Sequence, residues 1–195
     1  MRLNAAPHIC VVKKEEKEAK LRDLILRDLA ARQAGQIMSG YSSYLMLARS
    51  IDSPVARALF SLCRDAASVG VRIKTIFMMD EGSAEKLDEM CGEFAPAIDG
   101  RLVSDVRLLD AHELLVLGPA TAWIGDCMRR DPAKRDAYEF YSEDSPEAAR
   151  SSARSFDRLW LNAAPLLLQR LPGLMAVEAA QQGAAGSSIE AATRH

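Results

Sequence analysis

The sequence predicts an α/β protein in which helices sandwich a mixed, largely parallel β-sheet. Two observations lead to this prediction. Apolar runs rich in β-branched residues alternate with segments of helical periodicity, as in a parallel sheet covered on both faces. After Gly100, short apolar runs follow one another through brief turns, as antiparallel strands do. The 195 residues, 49% hydrophobic and 27% charged, suffice for one domain with a sizeable core.

The first half of the chain alternates strands with helices. The predicted strands are 8–12, 36–46 and 71–79, and the predicted helices are 14–34, 54–69 and 83–94. Ser53 is the expected N-cap of the second helix, with Pro54 in its first turn. Gly35 and Gly70 end the first two helices. The run of mixed charges at 13–20 predicts a solvated helix start.

The second half contains short strands and one long helix. The predicted strands are 105–109, 112–117, 121–125 and 136–142. Ser145 caps an amphipathic helix that carries Phe156 and Trp160 on one face. We expect one domain over residues 1–172. Residues 173–195, rich in Ala, Gly, Ser and Gln, are predicted to form a flexible tail.

Charge and composition argue against several functional classes. The formal net charge of −2 gives no general attraction for nucleic acid or an anionic membrane. No apolar run approaches the ~20 residues of a membrane span, and the N-terminus lacks the apolar stretch of a signal peptide. We therefore expect a cytoplasmic protein with reduced cysteines. These cysteines are Cys10, Cys63, Cys91 and Cys127.

Several local motifs resemble one half-unit of the phospholipase D superfamily. The segment SVGVRIKTIFMMD is similar to the family's helix, Gly-Val turn and strand. The other matching features are His112, the turn Gly118-Pro119, WIGD at 123–126, Glu139 within YEFY and FDRLW at 156–160. The resemblance covers about residues 8 to 165. It implies the α/β fold of that superfamily.

The family's two polar motifs are only partly kept. In the His-x-Lys-x-x-x-x-Asp motif, His112 remains, but Leu114 replaces the lysine and Pro119 the aspartate. In the Gly-Ser-x-Asn motif, Gly125 remains. Asp126 stands at the serine position and Met128 at the asparagine position.

The resemblance implies a reaction in which His112 attacks phosphorus and a second histidine, from a second half or subunit, protonates the leaving group. It also implies that Glu139 orients His112. In the family, Lys, Ser and Asn hold the phosphate oxygens, where charge develops in the transition state. An apolar Leu114 and an anionic Asp126 cannot do this. We therefore expect a degenerate site, a pseudoenzyme with a binding or scaffolding role, and a homodimer with His112 near its two-fold axis.

Two alternatives remain open. The first is an active phosphodiesterase or nuclease with His112 as nucleophile and displaced basic residues as the phosphate clamp. The second is a non-catalytic nucleic-acid-binding module. The candidate phosphate-binding residues for both are Arg107, Arg129, Arg130, Lys134 and Arg135. His112, Asp126 and Glu139 have no local metal-binding signature, so we expect no metal and no cofactor.

Overall fold

An eight-stranded mixed sheet forms the centre of the computed structural model, which describes residues 8–37, 41–78, 98–103, 111–128 and 136–166. The strands are β1 (His8–Lys13), β2 (Ser43–Ala48), β3 (Arg72–Met78), β4 (Ile98–Val103), β5 (His112–Val116), β6 (Ala122–Cys127), β7 (Asp136–Ser142) and β8 (Ala164–Pro165). The helices of the described ranges are α1 (Lys14–Gln33), α2 (Pro54–Phe60), α3 (Cys63–Ser68) and α4 (Pro146–Trp160).

The strand order is β1-β7-β6-β5-β2-β3-β4-β8. Strands β2, β3 and β4 run parallel, and the other neighbouring pairs are antiparallel. The parallel strands come from the part of the chain where strands and helices alternate, because a parallel pair needs a long crossover. The antiparallel strands β5, β6 and β7 come from the run of short strands. The α/β fold with a mixed sheet is confirmed.

Two hydrophobic cores lie on opposite faces of the sheet. The face covered by α1 and α2, here called the α1 face, buries Leu21, Tyr44 and Trp123. The opposite face, here called the α4 face, buries Leu114 and Phe156. Successive residues of a strand point to opposite faces, so neighbouring residues of β5 contribute to different cores.

A buried polar network attaches α1 to the sheet. The Tyr44 hydroxyl donates to Asp28 Oδ2 at 2.6 Å, and Arg32 Nε donates to the same oxygen at 2.6 Å. Arg32 also donates to the carbonyls of Tyr41 and Leu117. Burial, followed by the hydrogen bond to Asp28, raises the pKa of Tyr44. The phenol therefore stays protonated and keeps donating.

The local signals predict where the helices begin and end, but they do not predict that one helix is broken. Ser53 Oγ accepts from the Ala56 N–H, and Gly35 and Gly70 adopt positive φ, as expected for a cap and two helix ends. The single helix expected at 54–69 is wrong, because the chain forms α2 and α3 instead. At the break the Leu62 N–H donates to the Leu59 carbonyl, three residues back, and the Ser61 hydroxyl donates to the Ala58 carbonyl at 2.9 Å.

Two strands differ from the sequence-based expectation. The strand expected at 36–46 begins only at Ser43, and β4 was not expected at all. The segment 98–103 lacks the clean alternation of polar and apolar residues that identifies a strand in a sequence. The predicted helix at 83–94, the strand at 105–109 and the tail at 173–195 lie outside the described residues.

The Cys63 side chain is buried and the Cys127 side chain is half-buried. Among the described helices, none is long and apolar enough to cross a membrane.

Candidate functional site

His112 lies at the carboxyl end of the parallel strands. It begins β5, which runs antiparallel to β2 with Leu114 opposite Leu47, near the end of β2. In α/β sheets this edge is where ligands bind. The edge thus places an exposed imidazole where chemistry or binding is expected.

A main-chain carbonyl orients the imidazole. His112 Nδ1 lies 2.8 Å from the Gly125 carbonyl oxygen. Because a carbonyl can only accept, the hydrogen of the neutral ring belongs on Nδ1, and Nε2 carries the lone pair. His112 therefore presents a basic nitrogen away from its anchor.

His112 borders a cleft of about 360 Å³ between α4 and the strands β5 and β6. The apolar walls of the cleft are Leu47, Leu114, Ile124 and Leu159. Its polar border is His112 together with side chains of α4.

Glu139 does not orient His112, which corrects the expectation from the resemblance. Glu139 is 1% exposed and lies on the α1 face, whereas His112 opens onto the α4 face. Its Oε2 accepts from Trp123 Nε1 at 3.0 Å and from the Tyr141 hydroxyl at 2.8 Å. Its Oε1 lies 2.5 Å from Lys17 Nζ. The strand alternation is the cause, because it sends these two side chains to opposite sides of the sheet.

Lys17 is a site residue that the sequence did not reveal. It lies within the charged run that was expected to be solvated, yet it is buried between Glu139 and Asp126. Its ammonium is 3.6 Å from Asp126 Oδ2. A lysine among acidic and basic residues resembles a surface residue until the strand residues that contact it are known. No local signal identifies it.

Arg49 and Glu113 extend this buried cluster to the carboxyl edge. The Arg49 N–H donates to Glu113 Oε1 at 3.1 Å, and Arg49 Nη2 donates to the Cys127 carbonyl at 3.3 Å. Cys127 is paired with His112 across β5 and β6. Burial raises the pKa of Glu113, although the Arg49 hydrogen bond and the charge of Lys17 oppose that shift.

The remaining motif positions are dispersed. Leu114 and Met128 are buried in the α4-face core, 5% and 3% exposed. Pro119 lies in the turn after β5, at the opposite end of that strand from His112. A Cβ on Gly125 would overlap the Trp123 ring, so that glycine has a packing reason here. Five candidates, Arg107, Arg129, Arg130, Lys134 and Arg135, lie outside the described residues.

The architecture is similar to solved phospholipase D structures. Nuc from Salmonella typhimurium, a phospholipase D family member, shares 17% identity over 82% of this chain and 97% of its own, with a TM-score of 0.52. NucT from Helicobacter pylori shares 10% identity over 82% of this chain and 99% of its own, also with a TM-score of 0.52.

TrmBL2, an archaeal chromatin protein with a novel mode of DNA binding, shares 12% identity with a TM-score of 0.52. That match covers 82% of this chain, which spans 55% of the TrmBL2 chain. No protein-family model and no curated protein matches the sequence. The structural neighbours nevertheless confirm what the local motifs implied: the chain has a phospholipase D-like fold.

Proposed function

We propose that this protein is a catalytically degenerate phospholipase D-like protein that binds a ligand or partner and does not hydrolyse phosphodiesters. One observation carries the proposal. Leu114 and Met128 stand where the resemblance implies phosphate-holding Lys and Asn, and both are buried in the α4-face core. Neither side chain can hold a phosphate oxygen.

The residue at the serine position supports the same conclusion. Asp126 takes the serine position with a carboxylate, which repels an anion. Its neighbouring cation, Lys17, is already engaged with Glu139 at 2.5 Å. Loss of one preorganised donor lowers a rate by ~10²–10³. Loss of three should leave little hydrolysis by this mechanism.

A second candidate, a working phosphodiesterase, is favoured by the state of His112. Its Nδ1–H is fixed on the Gly125 carbonyl, and its exposed Nε2 could act as a nucleophile. Arg49 donates to the carbonyl of Cys127, the residue of β6 opposite His112, and would be a candidate cation for such a reaction.

Hydrolysis of bis-p-nitrophenyl phosphate and of single-stranded DNA, with metal chelated, separates the two candidates. We compare the wild type with His112→Ala and His112→Asn. The asparagine amide can still donate to the Gly125 carbonyl but has no basic nitrogen. We expect no hydrolysis above buffer in any of the three. Turnover by the wild type that both variants lose would overturn the proposal.

Binding of nucleic acid is tested by fluorescence anisotropy with duplex and single-stranded DNA. The DNA-binding neighbour TrmBL2 supports the choice of this probe. A protein that binds through phosphate contacts loses affinity steeply between 50 and 200 mM salt, as expected for ~6–10 such contacts. Saturable, salt-sensitive binding without hydrolysis would identify nucleic acid as the ligand.

The proposal includes the homodimer that the resemblance implies, with His112 of each subunit near the two-fold axis. Such an interface would place the same surface of both subunits in contact. Sedimentation equilibrium over a wide concentration range gives the mass. A monomer at all concentrations would remove the homodimer from the proposal and leave the degenerate site untouched.

A further inference from the structure

The α4 side of the His112 cleft carries a row of hydroxyl groups. Ser151, Ser152 and Ser155 lie along one side of α4, with Arg158 one turn beyond. These residues recur at the spacing of a helix face, so they border the cleft together. None of them belongs to the two motifs by which the chain resembles phospholipase D.

Ser152 is the most informative of these residues. It is 3% exposed, it lines the cleft, and its Oγ has no hydrogen-bond partner among the described residues. Buried hydroxyls are nearly always paired, because an unpaired one loses its hydration without compensation. Ser155, in contrast, donates its hydroxyl to the Ser151 carbonyl within the helix. Ser152 can donate to a ligand once its side chain rotates to another rotamer, because its Oγ is covered in this structure.

The charge of the cleft is one-sided. Arg158 supplies a permanent cation at the rim, and His112 adds a polar ring opposite the serines. Among the described residues that line the cleft, none carries a carboxylate. An anionic group at this end would meet a guanidinium and hydroxyl donors, which is the usual pattern of an anion site.

The rest of the cleft is apolar. Leu47, Leu114, Ile124 and Leu159 form walls that offer no hydrogen bonds. The volume of about 360 Å³ falls within the usual range for small-molecule sites, ~300–1,000 Å³. An inorganic anion would fill only the polar end and leave these walls without contacts.

We propose that this cleft binds a small molecule with an apolar body and one terminal anionic group, a carboxylate or a phosphate monoester. The anionic end contacts Arg158 and Ser152, and the apolar body lies against the leucine and isoleucine walls. The inference rests on the proposed function in one respect, since it supplies a ligand for a protein that binds without hydrolysis.

The test is calorimetric titration with four probes: phenyl phosphate, phenylacetate, inorganic phosphate and benzyl alcohol. The first two carry both an apolar body and an anion, and the last two carry only one of these features. We expect phenyl phosphate or phenylacetate to bind at least about tenfold more tightly than either single-feature probe. The tighter of the two distinguishes a phosphate ligand from a carboxylate ligand.

Variants locate the binding in the cleft. Arg158→Gln should weaken the better probe about tenfold, since a charge-assisted bond is lost. Ser152→Ala should weaken it about fivefold. Arg154→Gln, on the same helix but outside the cleft lining, is the matched control and should leave the affinity unchanged. Thermal unfolding of each variant confirms that it is folded.

Three results would overturn this inference: no saturable binding of any probe, equal binding of inorganic phosphate, or binding that neither Arg158→Gln nor Ser152→Ala weakens. The phosphodiesterase assay decides the proposed function separately. Hydrolysis with cleft binding would overturn only the degenerate assignment. If the protein neither hydrolyses phosphodiesters nor binds any probe, this inference fails and the degenerate assignment stands.

Discussion

The two faces of the central sheet differ in the surroundings of their polar side chains. On the α1 face, Glu139 is buried against Lys17 with two further donors, and Asp28 binds both Arg32 and Tyr44. On the α4 face, polar groups surround an open cleft and the buried Ser152 hydroxyl has no partner among the described residues. The α1 face thus carries buried ion pairs, and the α4 face carries the cleft.

The same comparison describes the positions at which the chain resembles the family's polar motifs. Leu114 and Met128 join the core of the α4 face, whereas Asp126 and Glu139 meet Lys17 on the α1 face. Leu114 and Met128 are thus on the opposite side of the sheet from Asp126, although the resemblance implies that these three positions hold one phosphate. Each has taken a structural role on its own side.

The largest expected effect is on the α1 face, with Lys17→Met. The substitution leaves Glu139 and Asp126 without their shared cation. Removing one partner of a buried ion pair destabilises a fold by ~3–5 kcal/mol. Urea unfolding at pH 7 measures the change. The double variant Lys17→Met, Glu139→Gln should recover part of the lost stability. If Lys17→Met alone lowers the free energy of unfolding by less than about 1 kcal/mol, Lys17 is not needed for stability.

Gly125→Ala should be next in size. The added Cβ overlaps the buried Trp123 ring, and overpacking of this kind costs about 1–3 kcal/mol. Gly118→Ala, in the turn after β5, is the control, because its Cβ meets only Arg32 and Asp28 atoms at 3.5 Å and beyond. Equal midpoints for both variants in urea would refute the packing reason for Gly125.

A smaller effect, visible only as pH dependence, is expected for Glu113→Gln. Burial raises the pKa of Glu113 above its unfolded value. Between these two pKa values the folded state binds more protons, so the free energy of unfolding falls as pH rises. The glutamine keeps an acceptor for the Arg49 N–H and does not titrate. The free energy of unfolding, measured from about pH 4 to pH 8, should decline less steeply with pH in the variant than in the wild type. Parallel curves would contradict this.

The smallest effect is expected on the α4 face. Ser152→Ala removes a buried hydroxyl that has no described partner, so stability should change by less than about 0.5 kcal/mol or increase. Thermal unfolding is sufficient to measure it. A loss of more than about 1 kcal/mol would mean that the hydroxyl is paired within the protein and is not available to a ligand.

Local signals in the sequence predicted many elements well. Ser53 and Ser145 cap their helices, and Gly35 and Gly70 end theirs, because caps and positive-φ glycines act within a few residues. The strand expected at 136–142 matches β7, because its alternation is also local. The α/β class could be predicted from the order of such elements, and the resemblance of the local motifs implied the phospholipase D-like fold.

The site depended on contacts between distant parts of the chain. The sequence by itself determined the helix caps, the helix ends and most of the strands, because spacing and turn chemistry are local. Only the tertiary structure decided that Glu139 meets Lys17 and that His112 binds the Gly125 carbonyl. Strand neighbours and the irregular register between His112 and Leu114 set which face each side chain occupies. A shift of one residue reverses that face, so residue spacing alone could not bring the site together.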